Sequence, residues 1–136
     1  MATFNKINKL TEALAEKKHD LGSDTLTIAL TNTAHTSTWG ELSDLTEVAY
    51  TNLSTRVITT TSSAQTTGTY KLVLADLTLT STGGSTGPFR YVYIYNDTST
   101  NDDLIGYYDY GSSITLNDGE SLLVDFDASA GVLTLV

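Results

Sequence analysis

Over most of the chain, apolar and polar residues alternate one for one, the period of a half-buried β-strand. Leu26, Ile28 and Leu30 alternate with Thr25, Thr27 and Ala29. Phe89, Tyr91, Tyr93 and Tyr95 take one parity, while Arg90, Val92 and Ile94 take the other. Leu122, Val124 and Phe126 alternate with Leu123, Asp125 and Asp127, and Asn117-Asp118-Gly119 just before them is a hairpin signal. Further strands are predicted over 104–110, 112–116 and 132–136, with a weak Thr-rich one over 56–61. Tyr70 to Thr80 reads as one long strand whose phase slips. Tyr70, Leu72 and Leu74 share a parity that Leu77 and Leu79 lack, and a β-bulge near Ala75-Asp76 would reconcile the halves. The stretches 31–38, 62–69 and 81–88 read as polar or glycine-rich connections.

The N-terminal segment has a different period. Phe4, Ile7, Leu10 and Leu14 recur at spacings of three and four, which predicts an amphipathic helix over 3–18 with Thr3 as its cap and Gly22 as its stop. So short a helix is marginal alone and must lie on something, either its own sheet or a neighbouring subunit. A shorter helical turn is predicted where Leu42, Leu45 and Val48 repeat at helical spacing. The chain therefore divides into an N-terminal helical arm, 1–22, and a β-domain, 23–136. About eight short strands predict a mainly β fold, an antiparallel β-sandwich or jelly-roll-like barrel with a short N-terminal α-helix.

Length changes little in this picture: 136 residues suit one domain. Charge changes more. The net charge is −9, and four of the seven basic residues (Lys6, Lys9, Lys17, Lys18) lie in the first eighteen positions. Nucleic acid is not an expected partner, because phosphate binding needs clustered cations. The acidic body serves solubility on one reading; on another it leaves the Lys-bearing arm free to dock on a partner. No cysteine is present, so disulfides and thiolate metal sites are excluded. No apolar run resembles a signal peptide or a membrane span, and the expectation is a chain made soluble in the cytosol.

Candidate chemistry is thin. His19 and His35 lack the spacing that brings two imidazoles to one zinc, and no G-x-S-x-G elbow is present. Asp97 to Asp103 alternates oxygen-bearing side chains as a calcium loop does, but Asp102 stands where an EF-hand needs glycine and Tyr108 where it needs glutamate. The loop reads better as a solvated turn. Gly83-Gly84-Ser85-Thr86-Gly87-Pro88 lacks the lysine of a phosphate loop. No catalytic residue, metal or cofactor is nominated. The tyrosines are more telling, since Tyr91, Tyr93, Tyr95, Tyr107, Tyr108 and Tyr110 fall within twenty positions. Cross-strand aromatic pairs stabilise a sheet, tyrosine is enriched at protein interfaces, and aromatic platforms bind sugars. All three readings stay open. The candidate protein contacts are Phe4, Lys6, Ile7, Lys9 and Leu10 on the arm, with Tyr91, Tyr93, Tyr95, Tyr107 and Tyr108 on the strands.

Several segments carry a resemblance: Met1-Ala2-Thr3-Phe4-Asn5-Lys6, Leu21 to Leu26, Ala29 to Ala34, Gly68 to Asp76, Gly83-Gly84-Ser85 with Gly87 to Tyr91, and Leu104-Ile105-Gly106 with Asp109-Tyr110-Gly111. Together they resemble a family of small virion structural proteins of tailed bacteriophages, most of all the capsid decoration or cement proteins. The chain departs from that pattern at 48–56, which is not glycine-rich. The resemblance implies a virion protein on the outer capsid surface, made in the host cytoplasm. Its implied partners are the major capsid protein and copies of itself, a trimer being favoured. The alternative is a receptor- or glycan-binding module of a tail or fibre.

Overall fold

The computed structural model describes residues 2–136. It is a mainly β domain with antiparallel sheets. The strands are β1 (Phe4–Lys6), β2 (Leu26–Thr31), β3 (Val57–Ile58), β4 (Thr60–Thr66), β5 (Thr69–Leu74), β6 (Leu77–Thr80), β7 (Thr86–Asn96), β8 (Leu104–Leu116), β9 (Ser121–Val124) and β10 (Leu133–Leu135). One helix, α1 (Leu10–Ala15), and one 3-10 turn, Leu42–Asp44, accompany them. The main sheet runs β1-β8-β7-β2-β3; a three-stranded sheet runs β10-β5-β4; a pair, β6-β9, completes the fold. Among the described residues no helix is long and apolar enough to cross a membrane.

One core joins the three sheets. Ile28, Leu30, Val92 and Ile94 from the main sheet share it with Leu72 and Leu74 of β5, Leu79 of β6, Val124 of β9 and Phe126. At the centre, β7 is buried on both faces from Tyr91 to Asn96. Directly opposed residues share a face of a sheet. The register Ile28↔Ile94, Leu30↔Val92 and Val92↔Tyr108 therefore defines the inner face, where Tyr108 meets Phe4 and Phe126. The register Ala29↔Tyr93↔Tyr107 defines the outer face.

Several sequence expectations change. The predicted helix over 3–18 shrinks to the six residues of α1, because Phe4–Lys6 pair with Tyr108, Tyr107 and Gly106 of β8 as an edge strand. The apolar spacing there still points inward, since Ile7 and Leu10 are buried, but strand, turn and helix share the work. Gly106 is required at this junction, because a Cβ there would overlap the Phe4 ring. The phase slip at Ala75-Asp76 is a change of sheet and not a bulge: β5 pairs with β4 and β10, whereas β6 pairs with β9. Asp76 secures the crossing by accepting a hydrogen bond from the Phe126 amide at 2.9 Å. Asn117-Asp118-Gly119 does turn the chain, with Glu120 N–H donating to the Asn117 carbonyl, yet no β8–β9 hairpin forms. Leu116 instead faces Thr86 and Ser121 faces Thr80. The predicted connection over 62–69 is a strand pair, β4–β5, closed by a turn at Thr67 and Gly68, both with positive φ.

Candidate functional site

Burial sorts the ten candidate contact residues first. Ile7, Leu10, Tyr91, Tyr93, Tyr95 and Tyr108 are buried inside the single chain. Each of these six packs against its own fold and leaves little surface for a partner in the single chain. Phe4 and Tyr107 are half-buried, and only Lys6 and Lys9 are exposed.

The tyrosines do gather, on the outer face of the main sheet. Opposite each other in the β7–β8 register, Tyr93 and Tyr107 stack with ring centroids 5.2 Å apart, and Tyr91 meets Tyr107 edge-on at 6.3 Å. The loop after β2 folds over them. It places His35 flat on Tyr107 at 4.4 Å and Trp39 edge-on to His35 at 5.8 Å. His35 Nδ1 and the Tyr93 hydroxyl share a hydrogen bond of 2.8 Å. Burial and the neighbouring Tyr107 and Tyr91 push the Tyr93 hydroxyl up, and burial lowers the His35 pKa, so the pair is neutral near pH 7. The loop closes on itself through Trp39 N–H to the Thr36 carbonyl and is tied to the start of β8 by Leu104 N–H to the Gly40 carbonyl. Sequence reasoning weighs His35 only as a metal ligand and does not single out Trp39. The signal was there in retrospect, as the chain's single tryptophan beside a histidine in an otherwise polar loop.

Further along the same face, Arg56 lies 3.8 Å over the Tyr50 ring and donates to the Ile28 carbonyl at 2.6 Å. The Tyr50 hydroxyl accepts from the Leu30 amide at 2.9 Å and donates to Glu47 at 2.6 Å. These contacts satisfy backbone groups at the edge of β2, at Ile28 and Leu30. The outer face is a second, smaller core with a half-exposed rim at His35, Trp39 and Tyr107.

A polar cluster lies where the N-terminal segment meets the β7–β8 turn. Asn96 donates to His19 Nδ1 at 3.0 Å and to Asp24 at 2.6 Å, while its carbonyl oxygen accepts from the Thr98 and Ser99 amides at 2.9 and 3.1 Å. That pattern assigns the amide orientation, makes Nδ1 an acceptor and leaves the proton on Nε2, which is buried without a partner. Burial lowers the His19 pKa against the upward pull of Asp103 and Asp24. The acidic turn 97–103 is therefore wound around Asn96. Among the described residues no group of three or more His, Cys, Asp or Glu side chains gathers to hold a metal ion.

The cations divide by region. In the body, Arg56 is tied to Ile28, Lys71 donates to the Ser129 carbonyl at 3.1 Å, and Arg90 pairs with Asp109 at 2.7 Å. On the N-terminal segment Lys6, Lys9, Lys17 and Lys18 are all exposed, and Arg90–Asp109 is the only ion pair among the described residues. Beside them a shallow groove of about 480 Å³ runs between the α1 end and the three-stranded sheet, lined by Leu14, Leu21, Tyr70 and Leu135 among others. No protein-family model, no curated protein and no solved structure matches this chain.

Proposed function

We propose that this protein is a structural component of a phage particle, a decoration or cement protein that binds the outer face of the head and braces contacts between capsid subunits. The observation that carries the reading is the segregation of charge. The body's cations are engaged internally, whereas four lysines stand exposed: Lys6 on β1, Lys9 just before α1, and Lys17 and Lys18 after it, on a chain of net charge −9. Such a surface favours an acidic protein partner and orients the domain on it, since the acidic remainder is repelled. The resemblance of the sequence to small virion proteins names that partner as the major capsid protein. Mixing the purified chain with undecorated capsids tests the proposal. Saturable binding that raises the capsid melting temperature, and that weakens as salt rises or when Lys6, Lys9, Lys17 and Lys18 become glutamate, supports it. Capsids that neither bind the chain nor gain stability overturn it.

The rim of His35, Trp39 and Tyr107 favours a second reading, a glycan-binding module of a tail or fibre, because half-exposed aromatic faces stack on sugars. Glycan-array binding abolished by Trp39→Ala would select it over the capsid role.

A further inference from the structure

The free edge of β4 is the second feature suited to contact, and it leads beyond the capsid reading. The turn Thr67-Gly68 fixes which backbone groups of β4 face outward. In a two-residue hairpin the flanking residues, here Thr66 and Thr69, form a hydrogen-bonded pair, and bonded and non-bonded pairs then alternate. Ala64↔Lys71 is therefore bonded to β5, whereas Ser63↔Leu72 and Gln65↔Tyr70 are not. The N–H and C=O of Ser63 and Gln65 accordingly point away from β5, to the edge where no strand lies among the described residues.

We propose that this edge pairs with the same edge of a second copy, antiparallel about a twofold axis at Ala64. In that register Ser63 faces the partner's Gln65, and Gln65 faces the partner's Ser63. Each pairing joins residues whose backbone groups already point outward, so donors and acceptors are matched without moving β4. Ala64 meets the partner's Ala64 in the non-bonded position, where Cα atoms approach to about 4.5 Å and small side chains fit best. The result is a continuous six-stranded sheet, β10-β5-β4 followed by its symmetry copy.

Charge selects a second copy as the occupant. Two chains of net charge −9 repel each other over most surfaces, yet every residue from Val57 to Tyr70 is uncharged. Of the other edges, β10 is only three residues long, β6 starts beside Asp76, and the rest carry similar guards against pairing. β1 is three residues long and ends on Lys6; β3 has two residues with Arg56 beside it; β9 is flanked by Glu120 and Asp125. β4 has seven residues, exposed on both faces from Ala64 to Thr66, and its bulge at Thr60/Ser62 lies outside the paired stretch.

A single strand edge buries less than a standard interface, so association belongs to high concentration. Sedimentation equilibrium from roughly 10 μM to 1 mM is expected to show a monomer–dimer equilibrium, with hydrogen exchange at the Ser63 and Gln65 amides slowing as dimer forms. Ala64→Lys sets two cations against each other at the axis and is expected to weaken dimerisation at least tenfold. Its melting temperature is expected to stay that of the parent, because residue 64 is exposed. Ala64→Ser is expected to dimerise as the parent does. A chain that stays monomeric throughout, a trimer, or a dimer that Ala64→Lys leaves intact each overturns the proposal. None of these outcomes bears on capsid binding through the lysines.

Discussion

β7 and β4 are both antiparallel strands in the same domain, yet they are stabilised in opposite ways. In β7, Tyr93, Ile94 and Val92 are inaccessible, with one sheet face against the shared core and the other under the His35–Trp39 loop. In β4, both faces of Ala64, Gln65 and Thr66 are wet, and β5 alone holds the strand by backbone bonds and the Ser63–Tyr70 hydroxyl contact of 2.8 Å. Burial determines the stability of the first strand; turn geometry and one neighbour determine that of the second. A strand of the first kind serves as scaffold, and one of the second kind remains available for contact.

The largest effect that would sharpen this contrast is expected from Tyr93→Ala, which empties space beneath His35 and between Tyr107 and Trp39. It should cost about 3–5 kcal/mol in urea denaturation. A loss below 1 kcal/mol would break the view of the outer face as a second core. Next comes Gly106→Ala, whose new methyl overlaps the Phe4 ring and the Asn5 carbonyl. It should cost about 1–3 kcal/mol and speed hydrogen exchange selectively at residues 4–6. Tyr93→Phe keeps the ring and removes the hydroxyl bond to His35, for about 1 kcal/mol.

A smaller effect depends on pH. The folded state lowers the pKa of His19, chiefly by burial, and also that of His35. As pH falls through the ordinary histidine value of 6.5, the unfolded chain takes up protons before the folded one does. Stability should therefore be flat well above pH 6.5, begin to fall as the pH approaches it and decline further below it. His19→Gln should flatten part of that slope, and an unchanged slope would remove His19 as its source. Smallest of all, Thr66→Lys on β4 should lie within about 0.5 kcal/mol of the parent in the same denaturation.

The contrast also explains what could be read from the sequence. β2 and β7 were legible because core packing demands apolar residues at strand spacing, as at Leu26, Ile28 and Leu30. From Ser62 on, β4 reads as a connection because its environment demands nothing: Thr60 to Thr66 meets water on nearly every side, so no periodicity is imposed. At the N-terminus, Phe4 to Leu14 carries a true inward spacing, but pairing with β8 takes Phe4–Lys6 out of the helix, and spacing alone does not reveal the pairing. The tyrosine cluster was legible in composition and not in orientation. Tyr93 becomes interior through a loop 58 residues away in sequence, the one that carries His35 to within 2.8 Å of its hydroxyl.

The placement of β1 at the edge of the main sheet has a consequence for the order of assembly. The β7–β8 hairpin closes locally, but Phe4 waits for Tyr108 and His19 waits for Asn96. On a ribosome Phe4 and His19 are thus placed late relative to their synthesis, because their partners emerge more than seventy residues later. The lysine-bearing surface exists as a surface only once β8 is in position. Recognition through it would then report a finished domain, so that partly made or misfolded chains are passed over without a separate act of inspection.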